Sequence, residues 1–420
     1  MTLTERQRID LYHYNIKIHV NFSHYSIVSY LQSNGFSKTA NIFIDETKLD
    51  TQPHEKYNNL LEKKWNTVIR LQKKVLDLEA KLSESLSEMN SLENGPKKSI
   101  TEWLPRPPAI HTLINHRSSI TRVVFHPKCN QCASASQDST IKLWDFESGE
   151  YEHTMKGHMN TVQDLKYNNT GSNIVSCSSD LTIKLWDTNT YQCIKTFRGH
   201  DHNISSVDYT PNFLQIVSAS RDKTIKIWDV STGYCVQTVL SGHNDWIRMA
   251  RVCQDGVHIA SCSNDKTIRV WSLESNSLKN TLVGHTHVIE CIEWAPTNIT
   301  KSINPDQLLP TNNSTVLNGY LVSGSRDKTI RIWDIGTSQC LFQLNGHDDW
   351  VRQMCFQTGG GYLLSCSDDK NIKIWDLRNR RCVKTLEAHE HFVSTIAIHS
   401  QLPYVITGSV DKSIKVWKCR

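Results

Sequence analysis

The chain carries one three-residue pattern seven times: a His, an Asp further along, and a Trp six residues after that Asp. The seven tryptophans are Trp144, Trp186, Trp228, Trp271, Trp333, Trp375 and Trp417. In six repeats the His stands 22 residues before its Asp, whereas 42 residues separate His285 from Asp327. A period of 42 to 43 residues that ends near Trp-Asp is typical of β-propeller blades. The pattern therefore predicts an all-β propeller with seven blades.

Alternation of apolar and polar residues predicts four strands in each blade. In the third blade the predicted strands are Asn203–Tyr209, Gln215–Ser220, Thr224–Trp228 and Tyr234–Val239. After Trp417 only three residues remain, so the last blade lacks a fourth strand. We expect residues 109–115 to supply that strand and close a propeller that spans 109–420.

A Ser or Thr also stands four residues before every repeat Asp. A buried carboxylate and a buried indole N–H both need hydrogen-bond partners. We therefore predict a structural relay in each blade, formed in the third by His200, Ser218, Asp222 and Trp228. A Ser-His-Asp set can indicate a hydrolase, but one catalytic centre does not require seven copies at fixed spacing. The sequence predicts a protein that is not an enzyme and needs no cofactor or metal.

Thirteen cysteines lie between Cys129 and Cys419, and the odd number argues against a complete disulfide set. Seven of the cysteines stand at two fixed positions of the repeat, represented by Cys177 and Cys193. We therefore predict that they are small buried side chains in a reducing compartment. The net charge is only +5 and no signal peptide or membrane span is visible, which argues against nucleic acid and membranes as partners. These features favour the cytoplasm.

Two positions of the repeat, three and five residues after the His, differ among the blades. Both lie on the face that carries the repeat His and Asp. They place Trp and Arg at Trp246, Arg248, Trp350 and Arg352, and Arg221 and Arg326 stand directly before repeat Asp residues. Trp and Arg are the residue types that anchor protein interfaces, and a basic rim attracts an acidic partner. The variation therefore favours a binding site. The alternative is that the aromatic side chains pack between blades and the charges are merely solvated.

The blade with the 42-residue gap contains an insert at 297–318, rich in Asn, Thr and Pro. It separates the first and second strands of the fifth blade. We therefore expect it on the face opposite the repeat His and Asp.

The N-terminal region follows a helical pattern instead. Residues 57–92 have a seven-residue apolar repeat, which predicts a short coiled coil and a parallel homodimer; the alternative is an amphipathic helix packed on the propeller. The predicted dimer seam is formed by Leu61, Val68, Leu71, Val75, Leu78 and Leu82. Residues 93–108 are a predicted linker, and within 1–56 two helices flank an Asn34-Gly35 break. So small a helical hairpin needs a partner chain.

The helix–SNGF–helix hairpin, EKKWNTVIRLQKKV, EWLPRPP and the final GSVDKSIKVWKCR together resemble the lissencephaly/NudF family of dynein regulators. The resemblance covers essentially the whole chain. It implies a LisH-type dimerisation hairpin, a WD-repeat propeller, and binding of that propeller to the motor domain of the cytoplasmic dynein heavy chain. By motif match, the residues implied in the motor contact are Arg221, Arg248, Arg326, Trp350 and Lys370.

The resemblance further implies a NudE-type coiled-coil partner and microtubule plus-end factors. The implied locations are the cytoskeleton, microtubule plus ends and spindle poles, with roles in nuclear migration and spindle positioning. Two other functions stay open at this point. One is a general LisH/WD-repeat scaffold, such as a transcriptional corepressor, and the other is a non-catalytic subunit of a lipid-mediator hydrolase.

One stretch departs from the family pattern. Residues 11–26 separate RQRID from IVSYLQSNGF, whereas a LisH helix normally joins these segments directly. The stretch is either an inserted loop or sequence that does not belong to the mature product, such as an unspliced intron.

Overall fold

The computed structural model describes residues 103–240, 242–296, 319–357 and 361–419, together with residues 24, 27, 28, 31, 32 and 35–47 near the N-terminus. These residues belong to two compact units, Met1–Lys97 and Lys98–Arg420, which are treated separately below. The predicted coiled coil at 57–92 and the insert at 297–318 lie outside the described residues.

The described N-terminal residues form a helical hairpin. Residues 24, 27, 28, 31 and 32 are helical, and a second helix, α1, spans Ser37–Thr47. Between them Gly35 has a φ of +82°, a left-handed conformation that glycine adopts without a steric penalty. The Phe36 N–H donates to the Leu31 carbonyl at 2.9 Å, a bond typical of a glycine-terminated helix. The helix therefore ends in a C-cap at Gly35, within the predicted break.

Among the described residues of the hairpin, two are fully buried. Val28 and Ala40 are fully buried, and the rings of His24 and Phe43 meet edge to face with centroids 5.6 Å apart. Ile42, on α1, is 59% exposed. An apolar side chain left in water on so small a unit is available to a further chain.

The second unit is a seven-bladed propeller, as predicted. Its strands within the described residues are β1 (His111–Ile114), β2 (Ile120–Phe125), β3 (Gln131–Ser136), β4 (Thr140–Asp145), β5 (Tyr151–Lys156), β6 (Val162–Tyr167), β7 (Asn173–Ser178), β8 (Thr182–Asp187), β9 (Cys193–Arg198), β10 (Ile204–Tyr209), β11 (Gln215–Ser220), β12 (Thr224–Asp229), β13 (Cys235–Leu240), β14 (Ile247–Val252), β15 (His258–Ser263), β16 (Thr267–Ser272), β17 (Ser277–Val283), β18 (Ile289–Trp294), β19 (Tyr320–Ser325), β20 (Ile330–Asp334), β21 (Gln339–Leu344), β22 (Val351–Phe356), β23 (Tyr362–Ser367), β24 (Asn371–Asp376), β25 (Arg381–Glu387), β26 (Val393–Ile398), β27 (Tyr404–Ser409) and β28 (Ser413–Lys418). In the third blade the predicted strands agree with the observed ones to within one residue.

Each blade is a four-stranded antiparallel sheet, and consecutive strands are neighbours. The second strands are the most buried, as in β11, where five of the six residues of QIVSAS are buried. The fourth strands are the most exposed, as in β9. This gradient follows from the fold, because the inner strands face neighbouring blades on both sides and the outer strand meets solvent.

The ring is closed by joining the two ends of the unit. β1 pairs antiparallel with β28, from His111 opposite Val416 to Ile114 opposite Ser413. Leu113, in the middle of β1, is only 3% exposed. The closing strand gives the last sheet its fourth strand and covers the open edge of β28.

The first strands of the blades are also tied to one another around the central channel. Asp164 of the second blade accepts hydrogen bonds from the Val207 N–H and from the Arg251 guanidinium, both at 3.2 Å. Its other oxygen lies 3.0 Å from Nε of Arg122. These buried contacts cross three blade boundaries and hold the first strands, which carry part of the candidate site, in fixed relative positions.

The cysteines are all free, but the prediction that every repeat column is buried is wrong for one column. Cys177, Cys262 and Cys366 are buried on second strands. In the other column Cys193 and Cys235 are exposed. The reason is that this column lies on the outermost strand, where one side faces solvent.

Candidate functional site

The predicted relay is present in the structure. In the third blade Nδ1 of His200 lies 2.6 Å from a carboxylate oxygen of Asp222, and its Nε2 lies 2.7 Å from the Ser218 hydroxyl. The Trp228 indole N–H donates to the same hydroxyl at 2.8 Å. The other six blades repeat these contacts, with Thr407 in place of Ser in the last.

Burial and hydrogen bonding show what the relay does. Burial alone raises the pKa of Asp222, but hydrogen bonds from His200 and Thr224 outweigh it and hold this pKa well below its usual range. Ser218 is fully buried and His200 is 4% exposed, so a substrate has no access to either. The relay therefore stabilises the blade and joins its loop, turn and third strand.

A second group of residues lies on the face of the propeller that carries the repeat His and Asp residues. We call this group the Arg–Trp surface. Its members are Arg221, Trp246, Arg248, Arg326, Trp350 and Arg352. All six are partly exposed, unlike the relay tryptophans, which are 5% exposed or less. The two surface tryptophans are therefore not core residues.

Each surface tryptophan has two guanidinium groups close to its ring. The Arg221 and Arg248 guanidinium carbons lie 4.6 and 5.9 Å from the centroid of Trp246. At Trp350 the corresponding distances are 4.1 Å for Arg326 and 4.9 Å for Arg352. Distances below 6 Å are in the range of cation–π attraction, which orders both the ring and the long arginine side chains.

Two carboxylates neutralise the pair of arginines at Trp350. Arg352 makes a two-pronged contact with Asp368, at 2.7 Å for each bond. Nε of Arg326 donates to Glu290, which also lies 3.9 Å from Arg352. The fork-shaped contact fixes the planes of the Arg352 guanidinium and the Asp368 carboxylate. Arg326 and Arg352 are thus held in place before any partner arrives.

The arginines at Trp246 have different surroundings. Nε of Arg248 donates to the neutral side-chain amide of Asn264 at 2.7 Å. In the part of the chain that the structure describes, no carboxylate lies within 4.0 Å of the guanidinium of Arg248 or Arg221. The guanidinium groups at this end of the surface therefore make no ion pair within 4.0 Å, and the charge of Glu290 acts on both from a longer distance.

The pKa values follow the same division. Burial lowers the pKa of Arg248, the Glu290 charge opposes this, and Arg326 and Arg221 lower it further, leaving it below its ordinary value. The pKa of Arg221 is lowered by burial, against the opposing charge of Glu290. Burial also acts to lower the pKa of Arg352, but the bonds to Asp368 and the charge of Glu290 raise it above normal.

Glu290 connects the two ends of the surface. Its burial acts to raise its pKa, but the charges of Arg248, Arg352 and Arg326 lower it overall, so the carboxylate is ionised at neutral pH. It lies in β18, between the strands that carry Arg248 and Arg352. A cavity of about 250 Å³ opens here at the mouth of the central channel, and Arg221, Arg248, Glu290 and Arg352 line it.

Sequence reasoning did not include Glu290, Asp368 or Asn264 among the site residues. A signal for them exists, since the residue five after the repeat His contacts the residue directly before the repeat Asp of the same blade. Arg248 meets Asn264, and Arg352 meets Asp368, each across 16 positions. The charge of the residue directly before the repeat Asp therefore predicts whether an arginine five residues after the repeat His has a carboxylate partner.

Lys370 stands apart from the other predicted residues. It is exposed in the turn after Asp369, with a φ of +70°. The same turn position carries Lys223, Lys266, Lys328 and Lys412 in other blades. Its geometry does not distinguish it from these, so its place in the site rests on the family motif alone.

Two further observations concern other kinds of site. Among the described residues, no group of three or more His, Cys, Asp or Glu side chains could hold a metal ion. Within the same residues no helix has the length and apolar character needed to cross a membrane.

Comparison with known proteins gives matches over both units. The family described as WD domain, G-beta repeat matches residues 108–145, 149–187, 191–229, 233–272, 276–334, 338–376 and 380–418. The family described as PAC1 LisH domain matches residues 23–52, so it begins near the end of the unusual stretch at 11–26. The chain is 52% identical over 362 residues to the Lissencephaly-1 homolog of Glossina morsitans morsitans, covering 86% of this chain and 85% of that protein.

Proposed function

Because this chain belongs to the Lissencephaly-1 family, we propose that its propeller binds the motor domain of the cytoplasmic dynein heavy chain through the Arg–Trp surface. The protein then acts as a non-catalytic regulator that tunes the attachment of the motor to microtubules. The observation that carries this proposal is the placement of two partly exposed tryptophans, each with two guanidinium groups within 6 Å of its ring, on one face of the propeller.

The energetics of protein interfaces support this choice of surface. A few Trp, Tyr and Arg side chains usually provide most of the binding energy, and they do so where they are ordered and can be fully desolvated. Trp350 is already fixed by Arg326 and Arg352, so little side-chain entropy is lost when a partner covers it. The positive charges beside Trp246 attract an acidic surface during the encounter.

The proposal includes a homodimer formed by the N-terminal unit. Ile42 and Phe36 are each 59% exposed on the hairpin, in whose described part Val28 and Ala40 are the fully buried residues. The heptad pattern of residues 57–92 would extend the dimer contact. Two propellers in one molecule can engage two motor domains, which increases avidity without a stronger single contact.

Dimerisation can be tested separately from motor binding. Ile42→Asp places a charge on the exposed apolar side of α1, and Asn41→Asp places the same charge on its neighbour. Sedimentation velocity of the full chain should give a dimer for the wild type and Asn41→Asp, and a weakened dimer for Ile42→Asp. A dimer that withstands Ile42→Asp unchanged would exclude this side of the hairpin as the contact.

The cellular role proposed from family membership is in nuclear migration and spindle positioning. The proposed locations are the cytoplasm, microtubule plus ends and spindle poles, with a NudE-type coiled-coil protein and plus-end factors as further partners. These proposals rest on family membership rather than on a contact in the described structure.

Motor binding is tested by pull-down of the full chain with a purified dynein motor domain. Arg326→Ala combined with Trp350→Ala should lose most of the captured motor while the thermal melt stays unchanged. Ile194→Ala, which removes an exposed side chain on an outer strand, is the control and should bind as the wild type does. Full capture of the motor by the double variant would contradict the assignment of the surface.

A further inference from the structure

The segment that precedes β1 lies against the propeller. Residues 103–106, which we call the strap, belong to the stretch predicted as a linker. Trp103 is partly buried against an apolar cluster that the sixth and seventh blades share, and Pro105 is buried. The Gln357 side-chain amide donates to the Trp103 carbonyl at 3.0 Å, and Pro105 forms a β-bridge with Cys419. The strap therefore contacts the sixth blade through Gln357 and the seventh through Cys419.

Other blades show what occupies the corresponding place elsewhere in the ring. In the second blade Lys195, on the outer strand β9, donates through Nζ to the carbonyl of Val230 at 3.1 Å. Val230 lies in the turn that joins β12 and β13, the third and fourth strands of the next blade. Asn280 of the fourth blade makes the same kind of contact with the Ile335 carbonyl, at 2.9 Å, in the turn between β20 and β21. A side chain of the outer strand thus ties one blade to the last turn of the next.

In the seventh blade the third and fourth strands, β28 and β1, come from opposite ends of the unit, so the chain cannot run directly from one to the other. Lys384 of the sixth blade stands nine residues after its repeat Trp, as Lys195 does. Its Nζ donates at 3.1 Å to the carbonyl of Pro105. Pro105 bridges in turn to Cys419, which stands two residues after its repeat Trp, as Val230 does. The strap thus takes the place that the turn has in other blades and ties the last two blades together.

We propose that the strap is a latch for the ring, which holds the sixth blade to the seventh and must be released before β1 can separate from β28. The strap precedes β1, whose pairing with β28 begins at His111 opposite Val416. An outer strand that is paired along one edge frays from a free end, whereas an end tied down by further contacts stays ordered. The contacts of the strap therefore protect the first residue pair of β1. A pull on the chain from its N-terminal side reaches the strap before it reaches β1.

The latch lies away from the Arg–Trp surface. Arg352 is the second residue of β22, and Gln357 follows the last residue of the same strand. The strap, which Gln357 contacts, therefore lies on the opposite face of the propeller. A partner bound through Arg352 does not cover it, so release of the latch and loss of motor binding are separate events.

Amide hydrogen exchange of the full chain, followed by mass spectrometry of overlapping peptides, tests the latch. Lys384→Met removes the Nζ donor and keeps an unbranched side chain of similar length, and Trp103→Ala removes the apolar contact. Lys195→Met is the matched control, since it cuts the same kind of tie at a turn that belongs to a continuous hairpin. Both strap variants should raise the exchange rate of β1 by about tenfold, and the control should raise it by less than about twofold.

The outer strand of the fourth blade, β17, reports on the ring as a whole. Its exchange rate should change by less than about twofold in both strap variants. Unchanged exchange of β1 in both variants would overturn the latch, even if residues 103–106 themselves exchange faster. A rise in β17 equal to that in β1 would also overturn it, because the whole ring would then have lost stability.

Discussion

Trp228 donates its indole N–H to the hydroxyl of Ser218 at 2.8 Å, a side-chain bond that adds to the backbone pairing of the third strand with the second. The same hydroxyl also meets Nε2 of His200 at 2.7 Å. With Nδ1 protonated toward Asp222, the Ser218 O–H donates to His200 and its oxygen accepts from Trp228. The serine is thus the centre of the relay, although it is the smallest of its four members.

Ser218→Ala should therefore destabilise the propeller by about 2 kcal/mol or more, since it leaves a buried indole N–H and a buried imidazole nitrogen without their shared partner. Ser218→Thr is the matched control, because the last blade uses Thr407 at the same position. It should cost about 1 kcal/mol or less. Chemical denaturation followed by tryptophan fluorescence measures both. Equal costs for the two variants would show that packing, and not the hydroxyl, matters at this position.

The relay also predicts a dependence of stability on acidity. The pKa of Asp222 in the folded protein is well below that of an unfolded Asp, near 3.9, so its contribution is complete above that value and is lost as the pH falls toward the folded pKa. The free energy of unfolding should therefore decrease as the pH is lowered from about 5 to about 3. In Asp222→Asn this group no longer titrates. The stability difference between wild type and variant should shrink in acid, and a difference that stays constant would contradict the account.

Closure of the ring gives a third prediction, in which two neighbouring residues of β1 act as test and control. Leu113 is 3% exposed and Ile114 is 72% exposed. Leu113→Ala should lower the free energy of unfolding by about 2 to 3 kcal/mol through a cavity against β28, and Ile114→Ala by less than about 0.5 kcal/mol. Urea titration of the full chain distinguishes them. Equal small effects would mean that β1 is not needed to close the last blade.

The relay and the surface differ in how far they could be predicted from sequence. Asp222 and Trp228 recur at fixed spacing in every blade, so the repeat itself indicates that they act together. The arginines at Trp246 and Trp350 look alike in sequence, since both tryptophans are followed two residues later by Arg. The structure separates them, because the partner of Arg248 is an amide and that of Arg352 is a carboxylate. This distinction depends on which columns meet across a blade, and hydrophobic periodicity does not report it.

The exposed cysteines have a similar explanation. A residue type that repeats in one column, as at Cys193 and Cys235, indicates a common environment but not whether that environment is inside. The fourth strand of each blade is the outer one, and its burial is decided by the absence of a further strand beside it. The position of a strand within its blade therefore determines burial more directly than residue type does.

The measurement that most directly tests the central claim is the dissociation constant of the full chain for a purified dynein motor domain. Trp246→Ala combined with Trp350→Ala removes both rings of the Arg–Trp surface and keeps all four arginines. Met159→Ala is the control, because Met159 follows a repeat His on the same face, in the second blade, and is 92% exposed. The account predicts at least about a hundredfold loss of affinity for the double variant and less than about a threefold change for the control. A double variant that binds as tightly as the wild type would contradict it.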